Sequence, residues 1–144
     1  MIESDTIKLL KEADQGIKMG ISSIDDVLEH IDSHELKEYL ISCKKKHIIL
    51  KDEIEESLKD YGVEPKEPNG IIQKMSSMKT NVKLTFNDSC KRVADLMIDG
   101  CNMGIKSLSK YLNEYRDANE ASVDITKRLI NLEEELAIQL RKYL

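Results

Sequence analysis

The sequence predicts an all-α protein, a four-helix bundle, and three observations carry that prediction. Apolar residues recur at alternating steps of three and four along four long stretches, the spacing that keeps one side of a helix turned to a partner. The 144 residues include only 6 glycines and 2 prolines, too few turn residues for an all-β fold. Hydrophobic residues make up 40% and charged residues 34%, which suits long helices with one apolar stripe and a solvated remainder. The length is that of one domain, spanning residues 1–144.

The first helix is predicted over about residues 5–31. Its line is Ile7, Leu10, Asp14, Ile17, Ile21, Ile24, Leu28 and Ile31, with Asp14 the one charged residue on it. Asp32-Ser33-His34-Glu35 reads as a tight reversal, and Asp32 with Glu35 resembles a capping box. A second helix follows to about Tyr61, with Leu36, Leu40, Cys43, His47, Leu50, Ile54, Leu58 and Tyr61 on its line. His47 is the polar intruder there. Gly62 suits a left-handed C-terminal cap, and Pro65 blocks continuation.

Residues 62–86 are predicted to form a crossover. Ile71, Ile72, Met75, Met78 and Val82 have helical spacing, so the crossover should contain a short helix. Its length allows it to run along the side of a bundle about 40 Å tall. The third long helix is predicted over 88–115, on Cys90, Ala94, Met97, Cys101, Gly104, Leu108, Tyr111 and Tyr115. Arg116-Asp117-Ala118-Asn119 makes a second reversal. The fourth helix, about 120–143, carries Ile125, Leu129, Leu132, Leu136, Leu140 and Tyr143. The Glu133-Glu134-Glu135 run falls beside this last stripe.

The halves resemble each other. Residues 16–24 and residues 100–108 share the pattern G-x-x-M-G-I-x-S-[IL]. This points to a duplicated helical hairpin. Gly16 with Gly20, and Gly100 with Gly104, lie one turn apart, so the first and third helices are expected to approach closely at mid-height.

The net charge of −5 argues against a nucleic-acid binder, and no apolar run reaches the length of a membrane span. The amino terminus lacks the basic start and apolar run of a signal peptide. Cys43, Cys90 and Cys101 are odd in number and form no C-x-x-C, so they read as reduced thiols of a cytoplasmic protein. No phosphate-binding glycine loop, nucleophile elbow or catalytic dyad is present, and no catalytic residue is assigned.

Two antiparallel hairpins joined by a long crossover, with the turn Tyr61-Gly62-Val63-Glu64-Pro65 leading into it, resemble the ferritin-like superfamily. The similarity is greatest to a bacterial ferritin-like family of unknown function, related to the rubrerythrin and bacterioferritin bundles. The resemblance implies a di-iron or di-manganese centre built from a Glu on each of two helices and a Glu-x-x-His on each of the other two. Carried onto this chain, Asp14 stands at the first-helix carboxylate and His47 at the second-helix histidine. Lys44 then occupies a Glu position, where an ammonium would repel a cation. Asp95 and Asp99 flank the third stripe, and the fourth helix has no histidine. The iron or manganese centre is therefore expected to be lost, with no cofactor.

Several readings of the polar residues stay open at this level. Asp14 is offset by His47 or Lys44 in a register-fixing pair; or Asp14, His47 and Cys101 hold a single metal ion; or one of them points to solvent. Cys43 and His47, at i and i+4, could share a zinc ion, or Cys43 is a small core residue. Cys90, near a helix start, is the thiol most open to reagents. The runs Lys44–Lys46 and Glu133–Glu135 are solvated faces or complementary surfaces for self-association. Function is accordingly expected to be non-catalytic: a structural or interaction protein, with a protein partner or a homodimer. A degenerate rubrerythrin-like redox protein and a bundle binding a small ligand are the alternatives.

Overall fold

The computed structural model describes residues 3–64 and 89–144. The described residues form four long helices and no strand: α1 (Asp5–Leu28), α2 (His34–Asp60), α3 (Ser89–Glu114) and α4 (Glu120–Leu140), closed by a 3-10 turn at Arg141–Tyr143. The expected crossover helix lies outside the described residues.

The helix ends follow from local chemistry. Ser4, Ser33 and Asn119 each accept a hydrogen bond from the backbone N–H three residues on, satisfying donors that the first turn leaves orphaned. The cap of α2 is thus Ser33 and not Asp32. α1 stops at Leu28, three residues earlier than the apolar line suggests, yet Ile31 is still buried beyond its end. At the other end of α2, Gly62 has φ of 74°. Its N–H donates to the Lys59 carbonyl and that of Val63 to the Leu58 carbonyl. This Schellman closure needs the left-handed residue that glycine supplies without strain. Val63 then packs beside Leu58 in the core.

α1 packs on α2, and α3 on α4, as two antiparallel hairpins. α1 also touches α3 and α4, and α2 touches α4, so α1 and α4 form the short diagonal of a rhombic bundle. The second reversal is tied to the start of α1: the Asp117 N–H donates to Asp5 and the Asn119 N–H to Thr6.

The core has two apolar compartments. One gathers Ile24, Val27, Leu36, Leu40, Met97 and Leu136 among others. The second gathers Leu10, Ala13, Ile17, Leu50, Ile54 and Leu129. The seam between them carries two buried ionisable side chains, His47 and Glu133.

Candidate functional site: the polar seam

Each helix contributes one residue to the seam. Gly20 of α1 lies one turn above Ile17; His47 of α2 lies between Leu50 and Cys43; Gly104 of α3 lies between Leu108 and Cys101; Glu133 of α4 lies between Leu129 and Leu136. His47 is fully buried and Glu133 nearly so.

The two glycines make this layer possible. A Cβ on Gly20 would stand 3.3 Å from His47 Cδ2 and 3.4 Å from Glu133 Oε1. A Cβ on Gly104 would stand 4.0 Å from Glu133 Oε2. Gly16 faces Leu129 and Leu108 side chains, and Gly100 faces open space. The glycines therefore make room for side chains arriving from α2 and α4. The expected close approach of α1 and α3 backbones is not their role.

The hydrogen bonds of His47 define its protons. Nδ1 lies 2.8 Å from the Cys43 carbonyl, which can only accept, so Nδ1 carries hydrogen. Nε2 lies 3.1 Å from Glu133 Oε1. A carboxylate there calls for a second N–H, and the ring becomes an imidazolium. Burial is the strongest influence and pulls the pKa of His47 down. The hydrogen bonds with Cys43 and Glu133 together outweigh it and raise the pKa to about 10. Cys43 Sγ also sits 3.6 Å from Nδ1. Burial, together with the nearby Glu133 carboxylate, drives the Cys101 thiol far above the ordinary range.

Asp14 is buried but belongs to a different cluster. It sits six residues before Gly20, about 9 Å lower along α1. Its Oδ2 accepts from Lys18 Nζ at 2.9 Å, and Lys18 also lies 3.3 Å from Glu55. The partner is therefore neither His47 nor Lys44. Lys44 turns outward to Asp25 at 2.5 Å. Burial lifts the carboxyl of Asp14 above its usual range although Lys18 pulls the other way. Lys18 is pulled down by burial, but Asp14 and Glu55 together hold its pKa above the ordinary value. Asp14 Oδ1 is buried without a hydrogen-bond partner. Since Lys18 keeps Glu55 when Asp14 is neutralised, Asp14→Asn should change the unfolding free energy by no more than about 1 kcal/mol. Chemical denaturation at pH 7 checks this, and a loss of several kcal/mol would mean that Asp14 carries the cluster alone.

Of the residues singled out from sequence, His47 and Cys101 are brought to one carboxylate, and Asp14 is not. That carboxylate is Glu133, which the sequence reading sets beside the stripe. A signal for it exists: Ser122, Thr126, Leu129, Glu133, Leu136 and Leu140 run at steps of four and three, and all are buried. Asp95 and Asp99 are exposed, and Cys90 is half-buried against the upper compartment.

A dinuclear carboxylate centre does not fit these residues. Its cations would need converging carboxylates free of resident positive charge. Here Asp14 is matched by Lys18 and Glu133 by His47, on different levels. Among the described residues no three His, Cys, Asp or Glu side chains converge for a metal ion. None of the helices described is long and apolar enough to cross a membrane. No protein-family model, characterised protein or solved structure matches this chain.

Proposed function

We propose that this chain is a ferritin-like bundle that has given up its metal centre and works without catalysis, presenting its helix faces to a protein partner. One observation carries the reading. The inward polar positions come with their own cations, Lys18 for Asp14 and His47 for Glu133. Internal ion pairs of this kind fix helix register and leave no net negative pocket for a divalent ion. The function then lies on the outside of the bundle.

Metal analysis of the purified protein, with native mass spectrometry, tests this. The expected result is less than about a tenth of a metal ion per chain after loading with ferrous or manganous salt. Near-stoichiometric iron or manganese would overturn it.

A second reading has one observation in its favour. Cys43 and Glu133 both contact His47, and Cys101 lies near that carboxylate, although the four do not converge on one point as they stand. A degenerate metal-dependent redox protein would use these donors after displacing the shared proton. It requires His47→Ala to abolish metal uptake, and uptake unchanged by that substitution would sink it.

A further inference from the structure

Resting on the reading of an interaction protein, we infer that the α2/α4 face is an interface for a second copy of this chain, docked about a twofold axis parallel to the helices.

Three ion pairs bridge the two helices. Glu35 pairs with Lys142, Lys46 with Glu135 at 3.7 Å, and Glu53 with Arg128 through two bonds of 2.8 and 2.6 Å. Along α2 the signs run negative, positive, negative. Along α4 and the turn that closes it, at the same heights, they run positive, negative, positive. Residues 35, 46 and 53 lie eleven and seven apart on α2, and 128, 135 and 142 lie seven apart on the facing line, separations close to whole helical turns. The pairs therefore point out along one face, in keeping with their partly exposed side chains.

Such a face is complementary to itself. A twofold axis along the bundle keeps each residue at its height and exchanges left for right. The α2 of one copy then lies over α4 of the other. Each Lys46 meets a second Glu135, each Glu53 a second Arg128, and each Glu35 a second Lys142. Every level becomes a ring of four alternating charges. An axis perpendicular to the helices would break this matching of heights, because Lys46 lies nearer to Glu53 than to Glu35.

Between the Lys46–Glu135 and Glu53–Arg128 levels the surface is part apolar, with Ile49 and Leu132, and part polar, with Asn131. Ile49 is 70% exposed and lies with Leu132 in a shallow groove bounded by Lys46, Glu53, Arg128 and Glu135. Ile138, 50% exposed, follows one turn beyond Glu135 on the α4 line. A buried apolar strip within a charged rim is the usual anatomy of a protein interface.

The area is that of a weak, transient contact. From Glu35 to Glu53 the strip rises about 27 Å, and two helices offer about 20 Å of width. That is roughly 550 Å² per copy, below the approximately 800 Å² of a standard stable interface. The dimer should therefore form in the micromolar range and dissociate as salt rises from about 0.05 M to about 0.5 M.

The test is sedimentation velocity over a concentration series on the full chain. Wild type should show a monomer–dimer equilibrium. Lys46→Glu and Glu135→Lys should each weaken self-association at least about tenfold, since each creates a ring of like charges. Mixed in equal amounts, the two variants should recover a one-to-one dimer, because the carboxylate introduced on α2 of one then meets the ammonium introduced on α4 of the other. Ile49→Asp should also give monomer, with unchanged helical circular dichroism. A monomeric wild type at every concentration would overturn the inference, as would failure of the mixture to pair. In that case the groove is covered by another protein, and a metal-free monomer leaves the non-catalytic reading standing. A metal-loaded dimer would do the reverse.

Discussion

Glu133→Ala is expected to lower the unfolding free energy by about 3–5 kcal/mol, the cost of leaving a buried charge without its partner. His47 is fully buried and its Nε2–H is aimed at Glu133 Oε1 from 3.1 Å. Removing the carboxylate strands that donor and empties a space that Gly20 and Gly104 have no side chains to fill. Glu133→Gln should cost distinctly less, because the amide retains an acceptor and nearly the same volume. The double substitution His47→Leu with Glu133→Leu should recover most of the loss. Both polar groups then leave together, and the seam joins the apolar compartments on either side. Urea denaturation of these proteins at pH 7 checks the order of the losses, and adding the single His47→Leu and Glu133→Leu variants completes the cycle that gives the pairwise coupling. A loss below about 1 kcal/mol for Glu133→Ala would show that the pair is not a buried ion pair.

Three of the four seam residues are visible in the sequence: His47 as a break in the α2 stripe, Gly20 and Gly104 through the repeated motif. Their meaning is not. A glycine one turn from another suggests a close helix crossing when only spacing is known. Only the neighbouring helices reveal that the space is taken by an imidazole and a carboxylate. Glu133 is hidden by its company. Leu132 is apolar and adjacent, and Glu134 and Glu135 are exposed, so spacing alone draws the stripe through Leu132. A one-residue shift moves a helix face by about 100°, and one charged position inside an acidic run gives no local sign of pointing inward. The fold is easier to read because its signals are redundant. Gly62, Ser33 and Asn119 act within a few residues of themselves, and each apolar line repeats over several turns. Which helices form the short diagonal, by contrast, depends on side-chain volumes from all four helices at once. That packing sets Asp14 against Lys18 and Glu55 rather than against His47.

Stability should fall as pH rises from neutral, and His47 should account for the fall. Its pKa is raised to about 10 in the folded chain against about 6.5 when unfolded. A cationic group whose folded pKa is raised contributes in full below its unfolded pKa and loses that contribution as pH climbs to the folded value. The window is therefore about pH 6.5 to 10, with a slope of at most about 1.4 kcal/mol per pH unit. Between about pH 6.5 and 8.5 the expected loss is about 2 kcal/mol. The groups facing the ring are Cys43 on its own helix and Glu133 on α4, with Cys101 of α3 behind that carboxylate; α1 meets it at Gly20. Burial raises Cys101 and Tyr39 as well, and their unfolded values near 9 and 10 place their effects at the alkaline end. Measuring below about pH 8.5 isolates the histidine. The His47→Leu, Glu133→Leu protein should have a flat profile over the same range. A wild-type profile equally flat there would mean that the folded pair holds no more protons than the same groups do when unfolded, with His47 neutral and Glu133 ionised.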